Sequence, residues 1–167
     1  EYPPSNCMIV FGRDRPRGVT SGYGGRGNTH AGCIDIISGM SGRLARARNP
    51  NTNDVVFTNK SPELDAARIY ISQLTKIDHN FGIANGVPGK VRPGAGIGIK
   101  ADDVRIIARN SFKLCTGRAD GVEGHGSRGE TNAFGGKSTI APTIELIAGN
   151  YSSDKWVYGG LKNPIET

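Results

Sequence analysis

Three pairs of apolar residues, each two positions apart, between residues 97 and 114 are the feature that most constrains how this chain can fold. In the stretch IGIKADDVRIIARNSFKLCTG, apolar residues stand two apart with glycine, arginine or lysine between them. The pairs are Ile97 and Ile99, Val104 and Ile106, and Phe112 and Leu114. A period of two places side chains on one face of a β-strand. Because the pairs begin seven and eight residues apart, the spacing predicts a strand, a tight corner and another strand, as in a hairpin meander or a β-helix.

A shorter phrase recurs at three places in the chain. IDIISG at 34–39, FKLCTG at 112–117 and IELIAG at 144–149 share one order: apolar, charged, apolar, apolar or Cys, small, Gly. We interpret each copy as one strand whose final glycine lets the chain turn away. Period-two segments predict short strands at Met8–Phe11, Ile34–Ile37, Val55–Thr58, Arg68–Ser72, Ile97–Lys100, Val104–Ala108, Phe112–Thr116, Ile144–Ala148 and Lys155–Tyr158. The predicted strand core is Ile34, Ile36, Ile97, Ile99, Val104, Ile106, Phe112, Leu114, Ile144 and Leu146.

Long turn-rich segments separate the alternating ones. The chain holds 25 glycines in 167 residues, well above the usual ~7%, and we expect loop excursions near 12–32, 39–67, 73–96 and 118–139. A helical start is visible only at Ser61, as an N-cap before Pro62, and predicts at most a turn or two. The predicted fold is therefore all-β, a short-strand β-rich fold of β-sandwich or β-helix-like type, in a single domain spanning 1–167.

Composition bears on the partners of this domain. Only 36% of residues are hydrophobic, less core material than an ordinary domain has, so we expect partner chains to complete the core. The net charge of +6 suits an acidic partner, but the basic residues are dispersed, which disfavours specific nucleic-acid binding. Candidate partner contacts are Arg13, Arg15, Arg43, Arg46 and Arg48. No apolar run is long enough for a membrane span.

Motifs of enzyme chemistry are weak in this chain. GYGGRG at 22–27 matches a dinucleotide fingerprint as a string, but it leads into a predicted strand rather than a helix. The three histidines, His30, His79 and His125, are isolated, so no metal site is predicted. Asp102 with Asp103, or Asp120 with Glu123, could form the carboxylate pair of a glycan hydrolase, although aspartate is also a common turn residue. We therefore predict a protein that is not an enzyme and needs no cofactor.

The segments GIKADDVRIIARNSFKLCTG and TIELIAGN resemble the strand-and-corner repeats of tailed-bacteriophage virion proteins, especially spike and baseplate proteins with β-helical segments. The resemblance implies a non-enzymatic structural component of the virion, homotrimeric and in contact with other virion proteins. Baseplate, spike, tail and head-decoration (capsid) roles all fit it. The long loops depart from a pure spike repeat and favour a globular β-rich subunit.

Two other functions stay open. The first is a carbohydrate- or receptor-binding module of a phage tail fibre, in which aromatic side chains stack on sugar rings. Its candidate platforms are Tyr23, Tyr151, Trp156 and Tyr158. The second is a polysaccharide-degrading enzyme that uses the carboxylate pairs named above.

Overall fold

A computed structural model of the chain describes residues 6–13, 31–86, 89, 92–117, 131–137, 142–150, 156–157 and 161–162. The described chain is dominated by strands and contains very little helix. Its backbone divides into two compact units, one comprising Glu1–Gly82 and Val91–Val104, the other Ile83–Lys90 and Arg105–Thr167. The single domain over 1–167 remains a prediction.

The first unit is built on one antiparallel sheet of four strands in the order β1-β2-β3-β4. The strands are β1 Cys7–Arg13, β2 Gly32–Ser38, β3 Ala67–Thr75 and β4 Gly94–Lys100. β1 and β4 are the edge strands, and every strand pairs with its neighbour in the sequence. The sequence prediction of a β-rich chain is confirmed to this extent.

A long connection, residues 39–66, joins β2 to β3 and is closed at its base. Gly39 has a positive φ of 71°, and the Ala66 amide donates to the Gly39 carbonyl at 3.0 Å. A Cβ at Gly39 would lie 2.8 Å from the Ala66 Cβ, so both the turn and the close approach require glycine. The connection contains a 3₁₀ turn, Gly42–Leu44. The glycine that ends IDIISG therefore turns the chain away, as predicted, and Gly149 of IELIAG also has a positive φ.

The connection between β3 and β4 contains the short helix α1, Ile77–Phe81. The sequence reasoning missed this helix and placed its helical start at Ser61. At Ser61 the structure has a turn, in which the Ser61 hydroxyl accepts a hydrogen bond from the Leu64 amide at 3.3 Å. The serine bonds as an N-cap does, but the chain continues into β3 because Arg68–Ser72 alternates like a strand.

The second unit contains a two-stranded antiparallel hairpin, β5 Trp156–Val157 and β6 Leu161–Lys162. It also contains a tight turn at 131–137, where the Asn132 side chain accepts from the amides of Phe134 and Gly136. The Ala84 amide donates to the Asn150 side chain at 2.6 Å.

The alternating segments differ in outcome. Strands predicted at Met8–Phe11, Ile34–Ile37, Arg68–Ser72 and Ile97–Lys100 are confirmed, and Lys155–Tyr158 contains the short β5. Strands predicted at Val104–Ala108, Phe112–Thr116 and Ile144–Ala148 are absent from the structure, and Val55–Thr58 has only an isolated bridge at Val55. A strand needs a hydrogen-bonded neighbour as well as an alternating sequence. These segments have no partner strand among the described residues.

Candidate assembly interface

One face of the four-stranded sheet is entirely apolar over two complete rows. Residues directly opposite each other on adjacent strands share a face, and the register aligns four apolar residues twice. The first row is Ile9, Ile36, Ile69 and Ile99; the second is Phe11, Ile34, Ile71 and Ile97. We call these eight residues the open face.

Seven of the eight side chains of the open face are exposed. Its exposed fractions run from 37% at Ile71 to 78% at Phe11, apart from Ile34, which is half-buried. An antiparallel sheet normally packs its apolar face on a core and turns its polar face to water. In this chain the apolar face is the one in contact with solvent.

The opposite face, which we call the covered face, is buried and mixes apolar with polar side chains. Its side chains on β2 and β3 lie under residues 60–65 of the long connection and next to α1, and they include two charged residues, Asp35 and Arg68. On these two strands the residues that project onto the covered face are all buried; they are Cys33, Asp35, Ile37, Arg68, Tyr70, Ser72 and Leu74.

Arg68 is the centre of a four-residue ionic cluster. Its Nε donates to Oδ1 of Asp35 at 2.8 Å, Nη2 lies 2.7 Å from the same oxygen, and Nη1 donates to Oδ2 of Asp65 at 3.1 Å. Lys60 donates to the other oxygen of Asp35. The side chains of Asp35, Asp65 and Arg68 are fully buried, whereas that of Lys60 is 15% exposed. Two acids and two bases therefore balance one another away from water, as buried charges must.

The backbone of the long connection completes this cluster. Asp65 accepts from the Ser41 amide at 3.0 Å and from the Ser61 amide at 2.9 Å. Lys100, on β4, donates to the carbonyls of Pro62 and Glu63. The connection is thus attached to the covered face by specific polar contacts rather than by a large apolar core.

Helix α1 packs on the glycine side of β4. A Cβ at Gly98 would lie 2.6 Å from Cε2 of Phe81, so α1 sits directly on the β4 backbone. The Phe81 ring also lies 6.0 Å from the Tyr70 ring, and the Tyr70 hydroxyl is 3.2 Å from Oγ1 of Thr75. Because the sequence of β4 is GAGIGIK, its isoleucines project only onto the open face.

The ten predicted strand-core residues fall into two groups. Ile34, Ile36, Ile97 and Ile99 lie in strands on the open face. The other six lie outside strands, and all are exposed in the single chain: Val104, Ile106, Phe112, Leu114, Ile144 and Leu146. Without a partner strand these segments cannot form a ladder that would bury one flank, so the strand assignment of these six is wrong for this structure.

The predicted arginine contacts are spread over the first unit. Arg13 ends β1, Arg43 lies in the 3₁₀ turn, and Arg46 and Arg48 follow it; all four are exposed. Arg48 donates to the Asn53 carbonyl at 2.9 Å. Arg15 lies outside the described residues.

The residues of the other functional hypotheses add no enclosed site. Asp102 and Asp103 are exposed just after β4, whereas Asp120 and Glu123 lie outside the described residues. Tyr23, Tyr151 and Tyr158 also lie outside them, and for Trp156 only the strand backbone is described. His79 is in α1; His30, His125 and the GYGGRG segment fall outside the described ranges.

Among the described residues, no three histidine, cysteine, aspartate or glutamate side chains gather where they could bind a metal ion. An open pocket of about 270 Å³ lies between Leu44, Phe57 and Leu64 in the long connection, slightly below the usual size range of small-molecule sites.

Within the described ranges, no helix has both the length and the apolar character that crossing a membrane requires. No protein family, curated protein or solved structure matches this chain. The geometry of the chain itself must therefore carry the functional argument.

Sequence reasoning missed half of the open face and all of the covered one. Ile69 and Ile71 alternate in RIYIS and could have joined the core prediction. The signal for the covered face was the pair Gly96 and Gly98, because glycines two apart in a strand indicate a close backbone approach. Asp35 and Arg68 gave no such signal, since a charge within an alternating strand ordinarily faces water.

Proposed function

We propose that this chain is a non-enzymatic structural subunit of a phage-like virion, that it acts through contacts between subunits, and that it forms a homotrimer. The observation that carries the proposal is the exposure of its alternating apolar residues. All residues from 101 to 115 are exposed, including the predicted core residues Val104, Ile106 and Phe112. A chain that leaves its core-forming residues in water needs other chains to cover them.

The sandwich or β-helix part of the fold belongs to the same proposal. One four-stranded sheet with an apolar face is half of a β-sandwich, and segments that alternate without a partner strand can pair once another copy supplies one. Trimerisation would provide both the second layer and the missing strands.

The virion assignment draws its support from the resemblance of residues 97–117 and 144–150 to phage spike and baseplate repeats. The dispersed, exposed arginines Arg13, Arg43, Arg46 and Arg48 suit contacts with acidic surfaces of neighbouring virion proteins. Baseplate, spike, tail and head-decoration positions are all compatible with such a subunit.

Mass measurement on the purified chain tests the assembly part. We expect native mass spectrometry and light scattering to give three times the 17.7 kDa of one chain. A cooperative, folded monomer at all concentrations would contradict the proposal.

Particle fractionation tests the virion part. Intact phage particles from a culture that encodes this chain are banded on a density gradient, and their peptides are identified by mass spectrometry. We expect peptides of this chain in the particle band. Their recovery only from the unassembled fraction, with known structural proteins in the band, would remove the virion assignment and leave the assembly part standing.

A further inference from the structure

The open face is a contiguous apolar surface across four strands. Seven of its eight residues are at least 37% exposed, and the two rows lie side by side in the sheet. The largest apolar patch on a typical monomer is roughly 300–600 Å² and is often an interaction site. One partner in a standard protein interface contributes about 800 Å², so a patch of this order can supply a large part of an interface.

We propose that the open face packs against the open face of a second copy of this chain. The inference rests on the proposed assembly function and deepens it by naming the face and its occupant. In the proposed trimer, the three open faces surround the three-fold axis, and each packs against the open faces of both neighbours. The apolar rows then form one shared core between the chains.

The chemistry of the face favours a copy of itself over an unlike partner. Its two rows contain seven isoleucines and one phenylalanine, with no charge and no hydrogen-bonding group. Interfaces between unlike proteins obtain their specificity from placed polar and charged groups, whereas homo-oligomer interfaces are more apolar. An uncharged apolar surface also meets itself without like-charge repulsion.

The charged side chains nearest to the open face do not lie within its two rows. Lys100 and Arg68 project from the covered side, where they bond to the long connection and to the acidic pair. Arg13 projects to the same side as Phe11 but lies one row beyond the second row, at the end of β1. A second sheet can thus approach the rows without desolvating an unpaired charge, which would cost several kcal/mol.

Thiol labelling of the purified chain tests whether a second copy covers the open face. In a Cys7→Ser, Cys115→Ser parent, Ile36→Cys places a thiol in the middle of one row, and Phe57→Cys places one on the long connection, where the native side chain is 89% exposed. Maleimide labelling rates are then measured over a range of protein concentrations.

We expect labelling at position 36 to slow about tenfold once about nine-tenths of the chains are associated, because only the free fraction reacts. Labelling at position 57 should stay constant. Labelling at 36 that is fast at every concentration would mean that nothing covers the face. Labelling that is slow even at concentrations where light scattering finds only monomer would mean that the chain covers its own face. Either result overturns the inference.

A lysine introduced into one row of the open face tests the same contact, with the mass of the oligomer as the measurement. Ile69→Lys should weaken association by about a hundredfold or more, since every copy would bring an unpaired ammonium into the dry contact. Phe57→Lys is the matched control and should leave the oligomer mass unchanged.

The two proposals fail in different ways. If Ile69→Lys keeps the wild-type mass and association constant, the copies assemble through another surface, and the face inference is overturned while the assembly proposal stands. If the wild-type chain itself is monomeric at all concentrations, the assembly proposal is overturned, and the inference that rests on it is overturned with it.

Discussion

The two faces of one sheet follow opposite rules. On the covered face, Asp35 and Arg68 are buried and held by ion pairs with Asp65 and Lys60. On the open face, two rows of isoleucine and phenylalanine stay in water. The difference indicates a division of roles: directional polar contacts fix how the chain folds onto itself, and the non-directional hydrophobic surface is left for contacts between chains.

The largest expected effect is on the covered face, at the centre of the ionic cluster. Arg68→Ala leaves Asp35 and Asp65 buried without their shared cation, which should lower the free energy of unfolding by about 3–5 kcal/mol. The free energy of unfolding is measured by urea unfolding monitored by circular dichroism. Arg46→Ala, at an exposed arginine of the long connection, is the control and should change stability by less than about 0.5 kcal/mol. Equal losses in the two variants would contradict the role of the cluster.

A smaller effect is expected where α1 meets β4. Gly98→Ala adds a Cβ that would lie 2.6 Å from the Phe81 ring, and the helix must shift to admit it, at a cost of about 1–2 kcal/mol. Gly12→Ala in β1 adds a Cβ at an ordinary 3.5 Å from Val10. We expect thermal unfolding to show a lower midpoint for the first variant only. An unchanged midpoint for Gly98→Ala would mean that α1 does not pack on β4.

The buried hydroxyl of Tyr70 is expected to contribute less. Tyr70→Phe removes its hydrogen bond with Thr75 and keeps the ring, whose centroid lies 5.4 Å from the Arg68 guanidinium carbon. The free energy of unfolding should fall by about 1 kcal/mol, the usual net value of one hydrogen bond. Urea unfolding in parallel with wild type checks this. No loss would show that the hydrogen bond from Asn80 to Thr75, at 2.9 Å, is sufficient without Tyr70.

The smallest effect is expected on the open face of the dissociated chain. Ile97→Thr preserves a β-branched side chain at a position that is 65% exposed. The stability of the monomer should therefore change by no more than about 0.5 kcal/mol. Chemical unfolding at concentrations where the chain is monomeric tests it. If this variant loses more than Tyr70→Phe does, the open face is already packed within the chain, and the contrast between the faces fails.

The sequence predicted the four strands because alternation is a local property. Met8–Phe11, Ile34–Ile37, Arg68–Ser72 and Ile97–Lys100 each contain enough residues to display it. The same pattern at Val104–Ala108 predicted a strand that the structure lacks, since a partner strand cannot be read from the segment itself.

The candidate site was predicted only in part for a related reason. Alternation identified Ile34 and Ile97 as facing the same way, but not which side the chain would cover. That choice depends on contacts between residues far apart in the sequence, such as Asp35 with Lys60 and Arg68. A charged residue in a strand ordinarily faces water. The pattern therefore placed Asp35 and Arg68 on the exposed side, whereas the structure buries both of them.

The closed base of the 39–66 connection has a practical consequence. Gly39 and Ala66 meet at that base, and the tip at 49–54 is an exposed turn bonded within itself, with the Asn49 amide donating to the Asp54 carbonyl at 2.9 Å. Lengthening a loop whose ends are already joined costs little, about 0.6 kcal/mol for a doubling. An epitope tag or fluorescent peptide inserted between Asn51 and Thr52, which are both exposed, would extend into solvent. Such a tag provides a handle for locating the subunit in an assembled particle while both of its faces keep their native sequence.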